Sequence, residues 1–203
     1  MRQGPSLRIW TAFVLRDSRA AQLVEFAVSL PLLVVFVVGI FDFSGAFTLK
    51  QKLTNVARDA ARAAAADPIT DLSSANPISI NDAFWVVDNY LKSNRIDDCG
   101  VTYGSGVPTR PTWTFSANGG SCVGTGLIIT INRGYYFPAT TTSQPPGVNC
   151  TPQSATGATA VVATCVSIQY AYSWRFGRAA SLLGGSAVLP ASISATAVAM
   201  NED

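Results

Sequence analysis

From Phe26 to Phe41 the chain carries no charge, and between Arg19 and Asp42 only Glu25 interrupts an apolar run. A run of about 20 mostly apolar residues is what a bilayer core requires of a helix. An isolated span in lipid must satisfy its own backbone hydrogen bonds, and a helix does so. The pattern therefore predicts a membrane-spanning helix over residues 21–41. Beyond it, Phe43, Ala46, Phe47, Leu53, Val56, Ala57, Ala60 and Ala64 keep helical spacing. Lys50, Gln51, Asn55, Arg58, Asp59 and Arg62 mostly take the other face. The alanine content raises helix propensity. One helix is predicted over residues 21–66, about 70 Å long at about 1.5 Å per residue. Pro31, Gly39 and Gly45 are the places for a bend. Asp67-Pro68 ends it, because a residue before proline disfavours the α region.

The rest of the chain changes period. Residues 68–77 read as a linker, followed by a helix from Asn81 or Asp82 to Ser93 with Asn81 as its N-cap. Ala83, Phe84, Val87, Tyr90 and Leu91 form its apolar face. Strand signals follow at 112–116, 126–132 and 135–137, then a long polar loop at 140–157. The strongest strand is 160–176, where Val162, Thr164, Val166, Ile168, Tyr170, Tyr172 and Trp174 alternate with Cys165, Ser167, Gln169 and Ser173. A last strand at 189–200 puts Ile193, Ala195, Ala197 and Ala199 on one face. Strands joined by loops and hairpins imply an antiparallel sheet. The expected fold is α+β: a long N-terminal helix, half membrane-spanning and half amphipathic, packed on a small antiparallel sheet. The expected organisation is a basic leader at 1–20, the span at 21–41, its amphipathic continuation at 42–66 and an extracytoplasmic head at 67–203.

Composition narrows the chemistry. Hydrophobic residues make up 48% and charged residues 13% of 203 residues, which excludes a disordered charged tail. A net charge of +2 is too small to imply a nucleic-acid partner. The absence of histidine removes Ser-His and Cys-His nucleophile pairs and His-containing zinc sites. No catalytic residue, metal site or cofactor is expected. Cys99, Cys122, Cys150 and Cys165 all follow the span, and no two are spaced as C-x-x-C. An even count in an exported domain suggests two disulfides. Of three connectivities, Cys99 with Cys122 and Cys150 with Cys165 is favoured, since each pair closes a Gly/Thr/Ser-rich loop. Four reduced, buried thiols are the competing reading. Lys and Arg are nearly balanced across the span, so the positive-inside rule does not orient it. The cysteines do, placing the C-terminal part on the oxidising side.

Minor motifs carry less. Arg133-Gly134-Tyr135-Tyr136-Phe137 has the basic-aromatic character of an RNA-binding strand but lacks the rest of that motif. Tyr170, Tyr172 and Trp174 share a strand face, as a sugar-binding surface or as packing aromatics. Asp97-Asp98 has no loop completing a calcium ligand set. Asn149-Cys150-Thr151 fits a glycosylation acceptor.

The string S-R-A-A-Q-L-V-E-F-A-V-S-L-P-L-L resembles the N-terminus of type IV pilin-like proteins, and more closely the TadE-like family of Tad pilus assembly. The matching elements are Arg16 and Arg19, Ala20, Glu25-Phe26 and the run Leu30 to Leu33. Gln51, Ala57, Arg58 and the alanines from Ala60 to Ala65 extend the resemblance, and A-T-A-V-A-M-N-E resembles the family's closing strand. The resemblance implies a prepilin peptidase cut between Ala20 and Ala21, with Glu25 at the fifth mature position. The family usually has Gly before the cut, where this chain has Ala20. It implies that Glu25 and Phe26 serve assembly and register. The expected partners are membrane lipid, the prepilin peptidase, other pilin-like subunits and the inner-membrane Tad machinery. The expected location is a single pass of the inner membrane with the head periplasmic or extracellular. Two readings compete with parts of this: Glu25 simply snorkelling or protonated, and a secretory signal cut after Ala46. A membrane-anchored binding protein or enzyme without a pilus role is the alternative function.

Overall fold

The apolar, alanine-rich run forms a single helix, α1 (Ser18–Ala66), in the computed structural model, which describes residues 18–74, 76–138, 150, 160–175 and 189–202. Pro31 lies within α1. A 3-10 turn (Ile69–Ser73) leads to α2 (Ile78–Ser93). Five strands follow: β1 (Val107–Thr109), β2 (Thr112–Ala117), β3 (Leu127–Pro138), β4 (Ala160–Ala171) and β5 (Ser192–Met200). They form one antiparallel sheet in the order β1-β2-β3-β4-β5. The architecture is α+β, with the long helix packed on the sheet. The chain divides into two compact units, 1–44 with 174–188, and 45–173 with 189–203.

In the second unit the apolar stripe of α1 closes a core. Leu53, Val56, Ala57, Ala60, Ala61 and Ala64 are fully buried. Four of these six positions are alanine. The facing sheet surface carries Trp113, Phe115, Leu127, Ile129, Ile131, Val166, Ile168, Ile193 and Ala195, all buried. Their register is set by pairs such as Phe115↔Ile129, Ile129↔Ile168 and Ile168↔Ala195. From α2, Phe84 reaches Phe115 at 4.8 Å and Tyr103 at 5.5 Å between ring centroids.

Two expectations need correction. Asn81 does not cap α2. The helix begins a turn earlier, with Pro77 at the N-cap and no side-chain cap from it. Proline's fixed φ suits the entry, and the Asp71 carboxylate accepts the Ser79 N–H at 2.8 Å, so an orphan donor of the first turn is satisfied from outside. Asn81 then sits inside the helix, its N–H on the Pro77 carbonyl. The strand signals at 126–132 and 135–137 are not separate either. They are one strand with a bulge, in which Arg133 and Gly134 share a single place in the pairing between Asn132↔Cys165 and Tyr135↔Ala163. A side chain at Gly134 would meet Pro111 at 2.6 Å, so glycine is required there. The edge strand β1 has no sequence counterpart above; it is three exposed residues around Pro108. Strand β4 is shorter than 160–176, and β5 shorter than 189–200. Residues 1–17, most of the 140–157 loop and Asn149 lie outside the described residues.

The bulge has a structural use. Before it, Ile129, Ile131 and Arg133 alternate toward the helix side. After it, Tyr135 falls on the opposite face, where it clusters with Ala163, Cys165 and Cys150. The cysteines pair as Cys99–Cys122 and Cys150–Cys165, with Cα separations of 5.5 and 5.6 Å.

The first disulfide loop is organised by Asp97. Its carboxylate accepts the Cys99 N–H at 2.9 Å, the Ser121 N–H at 2.7 Å and the Ser121 hydroxyl at 2.5 Å. The Ser121 hydroxyl, then the two N–H groups, hold its pKa below the ordinary value. A depressed folded pKa gives stability that is complete above the unfolded value of about 3.9 and is lost as pH falls through the folded one. Asp97→Asn is therefore expected to be less stable than the parent at neutral pH. The gap should narrow as pH is taken below about 4. Urea unfolding at a series of pH values measures it, and a pH-independent gap would contradict this role.

Candidate functional site

The sequence places its candidate chemistry on the first half of α1. Ala20 and Ala21 lie in the first turn of the helix, which begins at Ser18. Glu25 lies one turn beyond Ala21, and both are exposed. Positions four apart on a helix are neighbours, so a group at residue 21 is within a turn of the carboxylate. Among the described residues, no hydrogen bond or ion pair to Glu25 is present. Phe26 is 63% exposed.

The surface around these residues is apolar almost throughout. Leu23, Val24, Phe26, Val28, Leu32, Leu33, Phe36, Ile40 and Phe41 are all more than half exposed. A soluble monomer seldom leaves a contiguous apolar surface of this extent open to water. The helix is long and apolar enough to cross a membrane, and only 6% of its most apolar window is buried within the protein. It is a candidate membrane anchor. The charged residue that follows, Asp42, is buried, while its neighbours Phe41 and Phe43 are open.

The far end of the same helix is fixed differently. A helix leaves its last carbonyls without intrahelical donors, and α1 has no basic residue in its last turn. Arg133, fully buried, supplies what is missing. Its guanidinium donates to the Ala64 carbonyl, to the Asp67 carbonyl at 2.6 Å, to Thr164 Oγ1 at 3.0 Å and to Asn201 Oδ1 at 3.3 Å. The Glu202 N–H meets the Ala65 carbonyl at 3.0 Å. A cation at this end also matches the negative end of the helix dipole. The Asp67 carboxyl is raised by burial first and by Asp82 next, and Arg133 partly offsets both. Arg133 thus belongs to the core and not to a nucleic-acid surface.

The other singled-out residues have structural partners. Asp98 accepts the Gly100 N–H at 2.9 Å and pairs with Lys92 at 3.2 Å, and Lys92 also holds the buried Asp88 at 2.7 Å. Asp97 is engaged as described. Among the described residues no group of three His, Cys, Asp or Glu side chains could hold a metal. The Tyr170 hydroxyl lies 3.7 Å from Cys122 Sγ, and a side chain at Gly45 would come within 3.1 Å of the Tyr172 hydroxyl. The Trp174 ring packs against Phe43 with centroids 5.2 Å apart. The three aromatics therefore do not form one open platform. Sequence reasoning missed Asp88, which shares the buried side of α2 with Phe84 and Leu91. Its i,i+4 spacing to Lys92 was the available signal.

Helix α1 is thus apolar and exposed over its first half, a candidate membrane anchor, and carries a buried stripe over its second half. Residues 20–62 match the TadE-like protein family. The match begins at the residue before the inferred cut and ends four residues short of the end of α1, so it covers the helix and not the sheet. It points to a component related to the Tad pilus. No curated protein and no solved structure matches this chain.

Proposed function

We propose that this chain is a TadE-like minor pilin or pseudopilin, trimmed by a prepilin peptidase and assembled through α1. The carrying observation is the bare apolar surface of α1 around one acid, within the stretch that matches the family. The span lies in the inner membrane, with the disulfide-bearing head on its outer side. Cleavage between Ala20 and Ala21 frees an α-amino group one turn from Glu25. That ammonium neutralises Glu25 of its own chain or of a neighbour. In a low dielectric such a pair is worth far more than at a wet surface. Lone polar groups in apolar bundles are best attested as devices that fix register, and Glu25 sets axial register between packed stems.

Mass spectrometry of protein extracted from the membrane by detergent tests the processing step. The expected N-terminus is Ala21, and it should disappear from cells lacking the peptidase. A chain that still begins at residue 1 in the presence of the enzyme would overturn it. Neighbouring genes for a secretion ATPase, a polytopic platform protein and a prepilin peptidase would support the pilus role.

A further inference from the structure

We propose that Trp174 and Arg175, on the segment that follows β4, form a second contact with the membrane, seated in the headgroup layer of the outer leaflet. The inference rests on the membrane-anchor reading above and adds a site remote from the span in sequence. Starting from Ala21, the helix rise of about 1.5 Å per residue places Phe41 about 30 Å along the axis. That is the thickness of the hydrocarbon core, so residues just after Phe41 lie at its outer boundary. Phe43 is half exposed there, and Trp174 packs on it with centroids 5.2 Å apart and planes tilted by 54°. Trp174 is consequently held at the depth where indole rings collect, with the apolar body toward the chains and the N–H toward water.

Two further observations select lipid as the occupant. At this level the exposed side of the helix is apolar, with Ile40, Phe41 and Phe43 open, while Asp42 is only 7% exposed. An aqueous or ionic partner would be served by the opposite arrangement. Arg175, the next residue, is exposed. A guanidinium beside an interfacial tryptophan has the chemistry to bind lipid phosphate. The surface is also continuous with the apolar span, so no separate partner is needed to cover it.

The test uses full-length protein in vesicles of phosphatidylcholine and phosphatidylglycerol, in a Trp10→Phe, Trp85→Phe, Trp113→Phe background that leaves Trp174 as the sole indole. Lipid brominated near the headgroup should remove about half of the Trp174 emission, lipid brominated near the chain ends less, and aqueous iodide little. Strong iodide quenching without lipid quenching overturns the proposal. So does resistance to every quencher, the result expected if another protein copy covers the residue. Should Trp113→Phe disturb the core, the difference in quenching between the parent and Trp174→Phe gives the same reading. Phe36→Trp, added to the background with Trp174→Phe, reports on the span itself. If its indole is quenched by the chain-end bromines while Trp174 is not quenched by lipid, only this proposal fails. If neither is quenched by lipid, the membrane reading fails as well.

Discussion

Arg133→Ala lowers the unfolding free energy by about 3 kcal/mol or more, read from urea unfolding of the full-length protein in detergent. The number follows from what is orphaned. Each buried acceptor left without a donor costs about 1–3 kcal/mol. The substitution strands the Asp67 carbonyl and leaves the Ala64 carbonyl only the long bond from the Asp67 N–H at 3.4 Å, while Thr164 and Asn201 can still bond each other at 2.5 Å. Relief from burying a guanidinium offsets part of this, since desolvating an ion costs several kcal/mol. The cavity left behind adds to the loss again. Arg133→Lys separates charge from geometry. A single ammonium retains the attraction to the helix end but cannot fork to four acceptors. It should recover about half of the deficit. Amide exchange over residues 57–66 should speed up in both variants. A stability unchanged by Arg133→Ala would show that the helix end is held by other means.

Glu25→Ala is expected to leave membrane insertion intact and to reduce assembly at least about tenfold, equivalent to about 1.4 kcal/mol per stem contact. The two effects should oppose each other. Removing an acid from an apolar span favours insertion, by at most about 2.5–3.5 kcal/mol on insertion scales. A variant that inserts well and fails to assemble therefore cannot be dismissed as one that no longer reaches the membrane. Glu25→Gln keeps size and hydrogen-bonding capacity but loses the charge, and should fail nearly as badly if the partner is an ammonium. The measurement is subunit recovery in the sheared or detergent-extracted complex, normalised to protein in the membrane. Normal assembly with Glu25→Ala would remove the register role while leaving the anchor in place.

How far the residues announced this structure depends on how local the signal was. Helix α1 was legible because apolar residues and alanines persist at helical spacing across 46 residues, Ala21–Ala66. Strands β4 and β5 were legible because their alternation is regular. The sequence pattern divides β3 in two because Arg133-Gly134 interrupts an apolar strand with a charge and a breaker. The interruption is the bulge itself, and Arg133 is justified by partners far along the chain, among them carbonyls 66 and 69 positions away. The start of α2 is hidden for a similar reason, since its first-turn donor is satisfied by Asp71 rather than by a residue at the cap. For the candidate site, the segment and its single acid could be read directly. That the helix is bare around Glu25 but buried at Asp42 could not, because the apolar pattern is the same on both sides of Asp42.

The attachment of α1 to the sheet also bears on tension. Lys50 donates to the Ser194 carbonyl toward one end of the buried stretch, and Arg133 and the Glu202 N–H grip carbonyls at the other. A pull along the helix axis would load these bonds and the alanine seam together, in shear, and not one after another as in unzipping. A stem hauled from the membrane would then be expected to carry its folded head with it.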